Sequence, residues 1–283
     1  MAELRDVHCD DITRAVKYMC MEANFHLGDD VIAAFERALK QEQSEVGRDI
    51  LRQLIENARI ASSERVPMCQ DTGMAVFFVE LGQDCHITGG SLYDAINEGV
   101  RQGYREGYLR ASIVGDPLVR KNTGDNTPAV IHIELVPGNR CIIHMAAKGF
   151  GSENMSRLQM MKPSDGIEAV KAFILDTVNL AGPNACPPMI VGVGIGGNFE
   201  LSAYLAKKAL LRPIGKRNPR EDLAKLEEEL IDKVNRLGMG PQGMGGTTTA
   251  LDVHVEVYAT HIAGLPVAVN INCHASRHKT VVL

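Results

Sequence analysis

Cys69, Cys186 and Cys273 differ from the other four cysteines of this chain in their surroundings. Each lies in a polar or Pro/Gly-rich turn beside an apolar run, in PMCQDTG, GPNACPPM and NINCHASRH. Three thiolates on three loops can hold a [4Fe–4S] cluster by three of its irons and leave the fourth without a protein ligand. Such an open iron is a Lewis acid toward a hydroxyl or a carboxylate. The alternative is three unrelated small residues, because free cysteine is commonly buried. Cys20 and Cys141 fit that alternative, one in a helical pattern and one in a strand pattern, while Cys9 and Cys85 point neither way. No C-x-x-C pair occurs, which disfavours a zinc ribbon, a ferredoxin-type cluster and a thioredoxin-like site. Seven cysteines without an export signal do not read as a disulfide framework.

Gln70, Asp71, Thr72 and Gly73 place an amide, a carboxylate and a hydroxyl directly after Cys69. That set can bind a polar substrate or move a proton. It equally suits an Asx-type turn entering a strand, with Asp71 bonded to its own backbone. Arg110, Arg120 and Lys121 lie around the loop-like stretch LRASIVGDPLVRKNTGDN. Guanidinium forks grip carboxylates through two bonds, so a dicarboxylic acid would use one; the alternative is a solvated loop. His254 on a strand pattern and His261 before an apolar run are candidate proton carriers or ordinary structural residues.

Two glycine-rich stretches invite a nucleotide reading. In VGVGIGGN, Gly192, Gly194 and Gly197 fit G-x-G-x-x-G, but the region where a confirming acid should stand is the basic turn LLRPIGKRNPRED. GMGPQGMGG lacks the Gly-Lys-Ser/Thr ending of a phosphate-binding loop. These glycines read instead as places of close backbone approach or positive φ.

Periodicity gives the elements that must position these residues. Helices are expected from Ile12 to Ala23 behind an Asp10-Asp11 cap, from Val31 to Lys40 behind Asp29-Asp30, and from Glu45 to Ile60. More follow at Ser91 to Gly107, Glu168 to Leu180 and Leu201 to Leu210. The clearest is PREDLAKLEEELIDKVNRLG, with acids early, bases late and Gly238 to stop it. Strands are expected from Met74 to Leu81, in PPMIVGVGIGG, and alternating after the glycine loop. NTPAVIHIELVPG and CIIHMAAKG read as a hairpin turning at Pro137-Gly138-Asn139. A helical N-terminal part (1–65) thus precedes a mixed part (66–283) without a regular β-α-β repeat. The expectation is an α+β fold in one domain over 1–283, with no doubly wound sheet.

Composition narrows the function classes. The 283 residues carry 30 Lys plus Arg against 35 Asp plus Glu, a net charge of −5, so no basic face for nucleic acid is expected. No apolar run reaches the ~20 residues a bilayer needs. The N-terminus lacks a basic-then-apolar arrangement, and a cytoplasmic protein is expected.

Together, PMCQDTG, NTGDNTPAV, KGFGSEN, GPNACPPMIVGVGIGG, GMGPQGMGGTTT and THIAGLPVAVNINCHASRH resemble the N-terminal half of class I, iron–sulfur fumarate hydratases. They resemble equally the α subunit of two-subunit fumarases and L(+)-tartrate dehydratases. The resemblance implies that Cys69, Cys186 and Cys273 hold a [4Fe–4S] cluster with one open iron. It implies that Gln70, Asp71, Arg110, Gly151 and His261 face the substrate, and Asp71 is assigned the catalytic role. Gly149 competes with Gly151, since Phe150 replaces a glycine of the family pattern. Leu283 follows soon after the third cysteine, so the rest of the active site is expected from a β subunit, in an α2β2 or similar hetero-oligomer. The activity implied is reversible hydration of fumarate to (S)-malate, a small dicarboxylate. Dehydration of L(+)-tartrate to oxaloacetate is the close alternative. A non-catalytic iron–sulfur carrier or scaffold is the reading from a different class, with no nucleic-acid or membrane partner in any case.

Overall fold

Apolar residues three and four apart build the helices of this chain, and apolar residues two apart build its strands. A computed structural model describes residues 4–283. In chain order the elements are β1 (Arg5–His8), α1 (Cys9–Phe25), α2 (Asp29–Gln41), α3 (Glu45–Glu64), β2 (Met74–Gly82), β3 (Cys85–Thr88), α4 (Leu92–Glu106), β4 (Val130–Val136) and β5 (Cys141–Lys148). There follow α5 (Phe150–Glu153), β6 (Arg157–Met161), α6 (Gly166–Ala181), β7 (Met189–Gly197), α7 (Phe199–Ala209), α8 (Glu221–Asn235), β8 (Ala250–Thr260), β9 (Leu265–Asn272) and β10 (His278–Val282). The architecture is α+β, with mixed sheets, as the pattern predicts. Among the described residues no helix is long and apolar enough to cross a membrane.

The chain forms two compact units, each assembled from separate stretches. The first takes residues up to Leu27, Asn57–Gly149 and Arg277–Leu283; the second takes Gly28–Glu56 and Phe150–Ser276. The first unit's main sheet has the order β10-β5-β2-β4, with β2 parallel to β4 and antiparallel to β5. Its core joins Ala75, Phe77 and Val79 of β2 and Ile143 and Met145 of β5 to Ile12, Val16 and Met19 of α1 and Ile96 and Val100 of α4. The expected hairpin does not form, because β2 lies between β4 and β5. Burial explains the choice: β2 runs five consecutive buried residues and suits a central position, whereas β4 has none and suits an edge. The cap of α1 also differs from expectation. His8 accepts from the Asp10 amide, and Asp10 and Asp11 fall inside the first turn, where acids oppose the helix dipole favourably.

The second unit's sheet has the order β6-β9-β7-β8, with β7 parallel to β8 and antiparallel to β9. The two sheets therefore share one topology: a central strand, a parallel neighbour reached through helix, and an antiparallel neighbour on the other side. Val191, Val193, Val253, Val255 and Val269 meet Phe173, Ile174 and Val178 of α6 and Leu230 and Val234 of α8. The glycines of VGVGIGG serve close approach. A Cβ on Gly192 would lie 2.0 Å from the Ala206 carbonyl oxygen, and one on Gly194 2.1 Å from that of Ser202, so α7 rests directly on the β7 backbone.

One polar seam runs through this second core. Asp252 and His254, both on β8, are fully buried, and His254 bridges Asp252 (Nε2, 3.2 Å) and the Ala209 carbonyl (Nδ1, 3.1 Å). Arg217 and the Gly215 amide also bond Asp252, while Arg212 bonds buried Glu227. His254 is thus a structural residue. Burial would raise the Asp252 pKa, but His254, the Gly215 amide and Arg217 hold it down at about 2. Its folded pKa lies below its unfolded one, so its stabilisation is complete above the ordinary carboxylate pKa and is lost as pH falls toward 2. That contribution is about 2 kcal/mol. Urea midpoints should therefore fall between pH 4 and pH 2, and Asp252→Asn should flatten that slope while lowering the midpoint at pH 7. An unchanged slope in the variant would reject the assignment.

Candidate active site

In the first unit, the turn before β2 carries Cys69, Gln70 and Asp71. It is anchored from several sides. The Met68 amide bonds the Asn24 carbonyl (3.1 Å), and Asn57 Nδ2 bonds the Met68 carbonyl (2.9 Å). The buried Tyr104 hydroxyl donates to the Thr72 and Gly73 carbonyls (2.9 and 3.0 Å), and buried Asn126 donates to Gly73 as well (3.2 Å). Gly73 has φ +78° and packs its α-carbon against the Ala147–Lys148 backbone, where a Cβ would meet main-chain atoms at 2.7–2.8 Å. Only glycine fits there. Thr72 Oγ1 accepts from the Arg110 amide (3.0 Å) and lies 3.2 Å from its carbonyl, which clips the Arg110 backbone to the turn and leaves its side chain exposed.

Asp71 does two things in this turn. Its Oδ1 accepts from the Gly73 amide (3.0 Å), the Asx arrangement. Its Oδ2 faces the other way, toward Gly149, where a Cβ would lie 3.3 Å from both Asp71 Oδ2 and Arg277 Nη2. Buried Arg277 donates from Nη1 to the Asp71 carbonyl and to Asn24 Oδ1 (3.0 Å). The turn bond thus engages one carboxylate oxygen, while the second and the Arg277 guanidinium both border Gly149.

In the second unit, register brings two cysteines to one end of the sheet. Cys186 lies three residues before β7, Cys273 directly follows β9, and Ile190 pairs with Asn272. The His274 amide and Nδ1 lie 3.3 and 3.0 Å from the Cys186 carbonyl oxygen, which ties the two cysteine loops together. Cys186 adopts a left-handed conformation (φ 52°), a strained choice for a non-glycine residue, costing about 1–2 kcal/mol. Gln242 of the glycine loop shares that conformation (φ 52°). The loop does not cradle a phosphate, because a carboxylate of the chain already fills it. Buried Glu42 accepts from the amides of Gln43, Ser44, Thr247 and Thr248 at 2.8–3.0 Å. Burial alone would raise its pKa, but these bonds hold it below the usual carboxylate range.

Burial divides the cysteines without singling out the three candidates, since Cys85 is half-buried as they are. Cys9, Cys20 and Cys141 are buried, whereas Cys69, Cys186 and Cys273 are half-buried. Burial pushes the Cys141 thiol up to about 11 and the Cys20 thiol higher still, and it also raises Cys9 and Cys85. Among the described residues, no three His, Cys, Asp or Glu side chains converge tightly enough for a single metal ion. A cluster asks for something else, thiols spaced around it and each bound to its own iron. Within the second unit, Cys186 and Cys273 are half-buried thiols on neighbouring loops at the entrance to β7 and the exit of β9.

Other expected site residues fall differently. Gly151 is the second residue of α5 in the second unit, exposed, and a Cβ there would lie 3.5 Å from the Asn184 carbonyl, two residues before Cys186. Gly149 is instead the glycine beside Asp71. Arg120 and Lys121 sit in an exposed turn closed by Asp116. His261 is not brought to the cysteines of its own unit. It occupies the exposed turn between β8 and β9, which crosses the C-terminal end of β7, whereas Cys186 and Cys273 stand at its N-terminal end. Nine residues of strand separate the two ends, about 25 Å. Residues that the motif reading missed are Arg277, Tyr104, Asn126, Gln242 and His274. The last two follow or face the cysteines, and NCHASR in hindsight places two polar side chains beside a candidate ligand.

The first unit thus offers an acid–amide turn beside a half-buried thiol, and the second gathers two half-buried thiols at one end of its sheet. Residues 13–282 match the family described as Fumarate hydratase (Fumerase), and the chain belongs to that family of hydro-lyases. Among its relatives is a Methanocaldococcus jannaschii protein provisionally named an L(+)-tartrate dehydratase subunit alpha. It is 44% identical over 273 residues, covering 94% of this chain and 95% of that protein. L(+)-tartrate dehydratase subunit alpha of Escherichia coli is 33% identical over 276 residues, covering 96% and 90%, and that of Shigella sonnei matches equally.

Proposed function

We propose that the chain is the α subunit of an iron–sulfur L(+)-tartrate dehydratase, converting L(+)-tartrate to oxaloacetate and water. The supporting observation for the substrate is the name carried by relatives that this chain matches over nearly their whole length. Hydration of fumarate to (S)-malate, expected first from the motifs, is the second reading, favoured by the family's own description. In this proposal Cys69, Cys186 and Cys273 hold a [4Fe–4S] cluster. When bound, such a cluster supplies a Lewis-acidic iron that makes hydroxide a better leaving group.

The chain's own residues do the remaining work. Asp71 takes the proton from the carbon adjacent to the one that bears the departing hydroxyl, through its carboxylate. Loss of that proton and of hydroxide leaves an enol, which tautomerises to the ketone of oxaloacetate. Arg110 holds a substrate carboxylate with its exposed guanidinium, and Gln70 bonds a substrate oxygen. The partner β subunit supplies the cations for the second carboxylate. His261 stands at the opposite end of β7 from Cys186 and Cys273.

The test is an anaerobic assay of the purified αβ complex on L(+)-tartrate, fumarate and (S)-malate. A site built to bond both tartrate hydroxyls rejects a substrate lacking one, so kcat/KM for L(+)-tartrate should exceed that for (S)-malate by about 10²-fold or more. The reverse ratio would select the fumarate reading. Robust turnover by the isolated chain would end the two-subunit part of the proposal.

A further inference from the structure

The glycine loop after α8 holds one large polar side chain, Gln242, in a backbone conformation that glycine favours. Its neighbours at 240, 243, 245 and 246 are glycines with positive φ. What the glutamine adds is bonding. Its backbone N–H and its side-chain Nε2 both donate to the Pro187 carbonyl, each at 2.8 Å. The same Nε2 lies 3.1 Å from His274 Nδ1. Pro187 directly follows Cys186, and His274 directly follows Cys273. One side chain therefore touches the residue after each of the two cysteines, at the point where His274 also meets the Cys186 carbonyl.

The loop carrying Gln242 is itself fixed. Glu42 accepts from the Thr247 and Thr248 amides, and a Cβ on Gly246 would collide with the Glu42 carboxylate at 2.6 Å. Gln242 also closes a short turn, in which the Met244 amide bonds the Pro241 carbonyl (3.1 Å). A rigid loop with a single amide aimed at two ligand-bearing turns has the form of a spacer.

We infer that Gln242 is a positioning residue that sets the separation of Cys186 and Cys273 before any cluster is bound. This rests on the reading of those cysteines as cluster ligands. The physical reason is preorganisation: loops already held in the binding arrangement lose little freedom when the group enters. Residues that orient metal ligands commonly change metal affinity 10–100-fold when removed.

Two substitutions separate the side chain's bonds from backbone strain. Gln242→Gly accepts the positive φ and removes the amide. Gln242→Glu keeps the length but puts an acceptor where Nε2–H donated to Pro187. The full-length chain would be reconstituted anaerobically with ferrous iron and sulfide, then challenged with an iron chelator, and the loss of visible absorbance timed. Both variants should lose their cluster about 10–100-fold faster than wild type. The reduced-cluster electron paramagnetic resonance signal should shift, while far-UV circular dichroism of the iron-free chain stays native. Gln159→Ala, on exposed β6, should behave as wild type. If the Glu variant, folded by dichroism, releases iron at the wild-type rate with an unaltered signal, the positioning role is overturned and the cysteine assignment stands. If wild type takes up no cluster, or Cys186→Ser keeps one, the assignment itself falls and this inference falls with it.

Discussion

Serine in place of Cys69, Cys186 or Cys273 should abolish the visible absorbance and the bound iron of the reconstituted protein, and activity of the αβ complex with them. The same change at Cys20 or Cys141 should leave both. Serine is nearly isosteric with cysteine, but its hydroxyl does not offer the thiolate that iron–sulfur clusters use. The contrast is what gives the experiment its force. Cys20 and Cys141 are fully buried in one apolar core with thiol pKa values raised by burial, so a hydroxyl there costs packing and leaves metal binding untouched. An iron without a protein ligand is also readily lost, so wild type should inactivate quickly in air and recover with ferrous iron and a reductant. The three-cysteine set is falsified if any one of the first three variants keeps its full iron and activity.

Much of the fold follows from periodicity alone. α4 with its Ser91 cap and α8 with its acidic start and basic end lie within a residue or two of where the pattern puts them. What periodicity does not carry is pairing between distant strands. The Pro137-Gly138-Asn139 turn has the local chemistry of a hairpin, yet β2, some 50 residues earlier, separates the two strands because it is the more completely apolar one. The division into two units leaves no mark in composition either, since each is assembled from stretches interrupted by the other.

The site is legible to the same degree. Cys69 and Asp71 stand out because turn residues beside a reactive type are visible in a short window. The parts that hold them are not: Arg277 bonds the Asp71 carbonyl from 206 positions away, and Glu42 reaches Thr247 from 205. A carboxylate inside a glycine loop cannot be told from a phosphate inside one by the loop's sequence, because both demand the same positive-φ amides. His261 shows the converse limit. Its motif is legible, but its distance from the cysteines of its own unit depends on the strand order β9-β7-β8, which no local pattern specifies.

Asp71→Asn should lower kcat by about 10²–10⁴-fold, the usual share of general acid–base catalysis, while iron content and the cluster's absorbance stay at wild-type levels. The geometry makes this substitution informative. The Gly73 amide needs only an acceptor at Oδ1, and asparagine offers one in the same place. Tyr104, Asn126 and Arg277 hold the turn through backbone carbonyls, which the substitution does not alter. The Asx turn that carries Cys69 should therefore survive intact. What is lost is the carboxylate as a base, whose second oxygen borders Gly149. An amide cannot accept the proton from the substrate carbon, so the chemical step should slow while KM moves little. The competing view gives Asp71 only a structural duty, fixing the turn for Cys69. Under it, iron and activity should fall together, and activity per bound cluster should stay near wild type. Measuring iron beside kcat distinguishes them, and a variant whose activity per cluster is unchanged removes Asp71 from the chemistry.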